Sequence, residues 1–156
     1  MEELERGDPE LITVENARRK AASVMSGGND EAVLACDTVV ALDGTVYGKP
    51  TDAAAARATL AALGGRTHRV VSGLVVLLGA EERVAVARTD VSFRALDAGL
   101  LHWYTATGEW RGRAGGYAIQ GAGAALVRAI DGDYENVVGL PLAALLDVYP
   151  ELLGGT

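Results

Sequence analysis

Cysteine, histidine, long apolar runs and positive charge are all scarce in this chain of 156 residues. A single cysteine, Cys36, excludes an internal disulfide, and no zinc-ligand spacing exists. His68 and His102 are far apart and belong to no metal-ligand pattern, so both are expected to be structural. The longest apolar run, residues 74–78 (LVVLL), is strand-sized, whereas a membrane helix needs about 20 apolar residues. The acidic opening MEELERGDPEL is no signal peptide, and a cytoplasmic location is expected. Fourteen Lys and Arg against twenty-one Asp and Glu leave a net charge of −7. That balance argues against a general nucleic-acid binder or a protein of anionic membranes. It leaves room for a small anionic ligand held by a few converging cations. No internal repeat and no linker divides the chain.

What is present is a soluble globular composition, 49% hydrophobic and 22% charged. Asp8-Pro9 reads as the start of a helix over residues 9–25, with Leu11, Val14, Ala17, Ala21 and Val24 as its apolar face. Residues 26–30 end it. Residues 32–42 read as a buried strand, Asp43-Gly44 as a two-residue hairpin turn and residues 45–47 as the return arm. A capped helix follows and stops at Gly64-Gly65. Strands over 67–78 and 83–93 flank a turn at 79–82, and Asp97 caps a helix over 98–107. Residues 108–123, GEWRGRAGGYAIQGAG, have no period and read as a functional loop. Strands over 124–130 and 134–138 and a helix over 142–153 complete the chain. The order predicts an α/β or α+β sheet with helices packed on it.

Asp37 is the residue that least fits its surroundings. A carboxylate inside a buried strand is costly unless it is paired or holds a cation. Two readings stand: a strand-end aspartate accepting backbone hydrogen bonds, or an active-site carboxylate facing a cleft. Lys49, past the hairpin, is either a solvated lysine or a cation returned towards Asp37. Lys20, late in its helix, either complements the helix dipole or joins them. Thr38 points to the face opposite Asp37. Gln120, whose amide can donate and accept, is either solvated or set to read a nucleobase edge. Cys36 reads as a small core residue. GAGAAL at residue 121 lacks the third glycine of a dinucleotide fingerprint and precedes a strand, which excludes a Rossmann site.

Four stretches together resemble the Maf family, the septum formation inhibitor proteins. They are ENARRKAASV (15–24), ACDTVVALDGTVYGKPTDAAAARATLAALGGRTHRVVSGLVV (35–76), GEWRGRAGGYAIQGAGAALV (108–127) and IDGDYENVVGLPL (130–142), in the family's order. The resemblance implies an elongated mixed β-sheet with helices packed on it and two lobes around a cleft. It implies hydrolysis of the α–β anhydride of dTTP- or UTP-type nucleotides, with Mg²⁺ or Mn²⁺ as cofactor. It makes Asp37 the catalytic base, Lys20 and Lys49 phosphate-facing cations, and Thr38 and Gln120 base-selecting residues. Asp37 and, through a looser match, Glu3 become metal ligands. A nucleoside triphosphate is the expected partner, with neither nucleic acid nor membrane, and a homodimer is compatible with it. The family's opening Ser-Pro-Arg-Arg segment, which grips the phosphates, has no match here. The expectation is therefore one Maf-like domain over residues 1–156, shortened at its N-terminus. An impaired nucleotide-binding or regulatory protein is the alternative.

Overall fold

The computed structural model describes residues 6–25 and 31–154. Glu3 and the expected helix stop at 26–30 lie outside the described residues. Helix α1 (Pro9–Met25) starts where Asp8 and Pro9 place it, and the Asp8 carboxylate accepts from the Glu10 amide at 2.9 Å. Strand β1 (Val33–Leu42) turns back through Asp43 and Gly44 into β2 (Thr45–Tyr47). Both turn residues have positive φ, 50° and 77°, as the tight hairpin with right-handed twist requires. Asp52 caps helix α2 (Ala53–Leu63). Strands β3 (Thr67–Leu78) and β4 (Glu81–Phe93) form a long hairpin, and Asp97 caps helix α3 (Ala98–Ala106). Beyond the glycine-rich segment come β5 (Val127–Asp131), α4 (Tyr134–Val138) and α5 (Leu142–Val148).

The strand order is β2-β1-β3-β4-β5, antiparallel at each junction. Strand β3 pairs with β1 from Val33 to Ala41, but β2 covers only Val40 to Leu42. Among the described residues, the outer edge of β1 from 33 to 39 therefore has no strand beside it. Side chains of both faces can reach a cleft at such an edge. On one face Ala35 and Val75 pack on Ala17 and Ala21 of α1. On the other, Val40, Val70 and Val91 join Leu60, Leu63, Tyr104 and Tyr117 in the main core. No helix among the described residues is long and apolar enough to cross a membrane.

The face of α1 is corrected in part, since Ala17 and Ala21 are buried as expected. Leu11 and Val24 are 72% and 65% exposed, and the buried side is Ile12, Thr13, Asn16, Ala17 and Ala21. The reason lies in β3: a Cβ on Gly73 would sit 2.4 Å from the Val14 backbone nitrogen. The helix is pressed onto the sheet, and small or hydrogen-bonded side chains fit that gap better than large apolar ones. A second correction is Tyr134–Val138, which is a helix and not a strand. Asp133 caps it by accepting from the Glu135 amide at 2.9 Å, and buried Asn136 donates to Val70 O at 3.2 Å and Thr89 Oγ1 at 3.0 Å. Those tertiary bonds override the strand preference of the valines. Similarly, residues 122–126 form a 3₁₀ turn before β5, and the last helix breaks at Tyr149, because Pro150 disfavours helical geometry in the residue before it.

Candidate active site

Strand β1 holds Asp37 at 6% exposure on the face towards α1. Two α1 side chains one turn apart meet its two oxygens. Lys20 Nζ lies 2.9 Å from Oδ1, and Asn16 Nδ2 lies 3.1 Å from Oδ2. Spacing of four residues on a helix puts both donors on one face. The ladder sets Gly73 opposite Asp37, so the missing Cβ that admits α1 lies beside the carboxylate it serves. A buried carboxylate is tolerated here because each oxygen has a donor.

At the uncovered edge of β1 lies a cavity of about 180 Å³. Lys20, Asp37, Thr38, Lys49, Arg113 and Gln120 all line it. Val40, Val70, Tyr117, Val137 and Val138 supply apolar wall. Three cations thus surround one carboxylate, a locally positive site on an acidic protein. Asp37, Thr38 and Lys49 also line a neighbouring cavity of about 770 Å³ that extends past β2 to Pro50 and Thr59. Together the two volumes reach the size usual for ligand sites.

Lys49 arrives there by register. Tyr47 pairs with Val40, so two residues further on the chain has reached the level of Thr38. Lys49 makes no ion pair with another described residue. The Gly115 amide donates to Gly48 O at 3.1 Å and fastens the glycine loop to the end of the hairpin. A Cβ on Gly115 would meet Val40 Cγ2 at 2.7 Å, so this contact depends on glycine. Thr38 occupies the face opposite Asp37, as alternation predicts, with its Oγ1 2.7 Å from Ser72 Oγ.

The histidines stay out of the site. His68 is buried, with Nε2 2.7 Å from the Tyr117 hydroxyl. Burial lowers its pKa to about 4, against an opposing pull from Asp90. His102 is on the exposed side of α3. Cys36 is half-buried on the cavity wall and donates to Gly139 O at 3.5 Å. Burial pushes its thiol up, which disfavours the thiolate a nucleophile needs.

Sequence reasoning missed Asn16, Arg113 and Asn136. Asn16 follows from the spacing to Lys20 once Asp37 is known to face α1. Arg113 sits in the loop already singled out, though nothing local distinguishes it from Arg111. Asn136, whose bonds hold the helix that walls the cavity, carries no sequence signal of its own. Glu3, expected as a metal ligand, is among the undescribed residues. No group of three His, Cys, Asp or Glu side chains gathers among the described residues, and Asp37 is the sole carboxylate they place on the smaller cavity. Its hard oxygens suit a cation such as Mg²⁺, which takes most of its ligands from phosphate and water.

A family model described as Maf-like protein matches residues 1–152. The dTTP/UTP pyrophosphatase of Pyrococcus furiosus is 41% identical over 145 residues, covering 93% of this chain and 76% of that relative. The protein of the same name from Deinococcus radiodurans is 43% identical over 145 residues, 93% of this chain and 74% of the relative. That from Myxococcus xanthus is 51% identical over 126 residues, 81% and 64% respectively.

Proposed function

The chain belongs to the Maf-like protein family, and on that footing we propose that it is a nucleoside triphosphate pyrophosphatase acting on dTTP and UTP. The observation that carries the reading is the convergence of Asp37, Lys20, Lys49, Arg113 and Gln120 on one cavity. The names of relatives 41–43% identical over 93% of the chain support the substrate class.

Asp37 acts as the base that takes a proton from water. The water oxygen forms a bond to phosphorus as the anhydride P–O bond breaks, and pyrophosphate leaves with the bonding pair. Lys20 and Asn16 hold the carboxylate in place through one oxygen each. Lys20 and Lys49 offset the charge of the polyphosphate, which grows on the leaving group in the transition state, and Arg113, on the glycine-rich wall, attracts the bound anion. A divalent cation, Mg²⁺ or Mn²⁺, held by Asp37 together with phosphate oxygens would add charge neutralisation. Gln120, beside the valines and Tyr117, addresses the edge of the base while the apolar wall takes its face.

The test is pyrophosphate release from dTTP and UTP by the wild type and by Asp37→Asn. General-base removal is expected to lower turnover about 10²–10⁴-fold while nucleotide still raises the melting temperature. Retained turnover in the variant would sink the role of Asp37. Stabilisation by nucleotide with no product from the wild type would make the protein a binding module.

A further inference from the structure

The turn that carries Gln120 is held by a clasp outside the cavity. Glu109, three residues past the end of α3, accepts from the Ala122 amide at 3.0 Å and the Gly123 amide at 2.9 Å. It also accepts from the Tyr104 hydroxyl at 2.8 Å. Tyr104 Oη in turn accepts from the Ala118 amide at 2.9 Å. Gln120 is therefore bracketed: one anchor lies two residues before it and two lie two and three residues after. The clasp is itself fixed. The Glu109 amide donates to Thr107 Oγ1 at 3.1 Å, and the buried Trp110 donates through Nε1 to Thr105 O at 3.0 Å. Tyr104 is fully buried in the main core.

Space is as tight as the bonding. A Cβ on Gly121 would fall 2.5 Å from Glu109 Oε2, and one on Gly123 would fall 2.3 Å from Ala118 O. The carboxylate fills the room that Gly121 leaves, and the Ala118 backbone fills that of Gly123. Burial pushes the Glu109 carboxyl up, but the Gly123 and Ala122 amides, the Tyr104 hydroxyl and nearby Arg113 outweigh it and hold it below the ordinary value. An acceptor-only carboxylate suits this place, since all three of its partners donate.

We propose that Glu109, working with Tyr104, is a positioning residue for base selection: it fixes the turn that presents Gln120, and so sets which nucleobase the cavity accepts. This rests on the reading of the cavity as a nucleotide site. Glu109 does not itself line that cavity, and the phosphate-side residues Asp37, Lys20 and Lys49 belong to α1 and the β1–β2 hairpin. Loosening the clasp acts on the base end of the ligand.

The experiment compares kcat/KM for dTTP and GTP, with equilibrium binding of both to the same proteins. Glu109→Gln places an N–H where an acceptor is needed, and Tyr104→Phe removes one hydroxyl without changing shape. Each is expected to reduce the preference for dTTP over GTP, about tenfold for Glu109→Gln, the equivalent of one well-placed hydrogen bond, and less for Tyr104→Phe. The change should lie in KM more than in kcat. In a Gln120→Ala background, Glu109→Gln should add almost nothing to the loss of preference, since both act through one contact. Equal losses for both nucleotides, or full additivity with Gln120→Ala, would overturn the proposal. If the wild type binds dTTP preferentially but releases no pyrophosphate, the hydrolytic reading fails and the binding ratio decides the inference. A wild type without base preference overturns the inference whatever its turnover.

Discussion

The two walls of the cavity are built by different physics. The wall carrying Asp37 is regular: a strand in a long ladder, a helix pressed onto Gly73, and two donors one helical turn apart. The wall carrying Gln120 and Arg113 has almost no repeating structure. It is held by side chains bonding to backbone amides, by glycines that admit close contact and by one fastening to the hairpin at Gly48. The first wall depends on packing, so a change there costs stability and chemistry together. The second depends on individual hydrogen bonds, so changes there are expected to alter selectivity while the fold persists.

That contrast can be broken most strongly by acid. His68 supports Tyr117 behind the glycine wall, and its folded pKa of about 4 lies below the unfolded value near 6.5. The fold favours neutral His68, so its contribution is complete above pH 6.5 and is lost as pH falls towards 4, where the loss levels off. The whole span amounts to about 3 kcal/mol. Urea midpoints at pH 7 and 4.5 should therefore separate more in the wild type than in His68→Phe. Equal separations would mean that His68 is not the titrating group.

A smaller effect is expected from Gly73→Ala. The added methyl meets α1 backbone at 2.4 Å, and such overpacking typically costs about 1–3 kcal/mol. Because α1 carries both partners of Asp37, turnover should fall along with the melting temperature. Loss of stability with unchanged turnover would separate helix placement from chemistry. The least effect is expected from Arg113→Ala on the irregular wall. One exposed cation facing an anionic ligand is worth about 1 kcal/mol or less, so KM should rise up to about fivefold. This rise should shrink at high salt, with kcat and melting temperature unchanged. A fall in kcat instead would place Arg113 nearer the reacting phosphate.

Much of the regular wall was legible before any coordinates. Asp37 stood out because a carboxylate in an apolar run needs a reason, and Asp43-Gly44 defined the hairpin that brings Lys49 back. The irregular wall was legible only as a loop worth attention. Gln120 could be suspected from its chemistry, but Glu109 could not, since a glutamate in a polar loop looks solvated until its three donors are seen. Tyr134–Val138 was misread because valine-rich pentapeptides favour strands locally, while the bonds of Asn136 to β3 and β4 are long-range. The misplacement of Leu11 and Val24 on α1 has the same origin, while Ala17 and Ala21 are buried as expected. Hydropathy spacing places Leu11 and Val24 inwards, but the gap over Gly73 and the polar demand of Asp37 turn Thr13 and Asn16 in instead.

Local chemistry alone settled where α1, α2, α3 and α5 begin, where the β1–β2 hairpin turns and which strand holds the misplaced charge. Capping, positive-φ turns and two-residue alternation act between near neighbours, and a linear chain displays them directly. Which edge of β1 stayed uncovered and which side of α1 met the sheet were decided by residues tens of positions apart, and the clasp of the Gln120 turn by residues 13 and 14 apart. Burial and hydrogen-bond geometry between distant segments exist only once the sheet has formed.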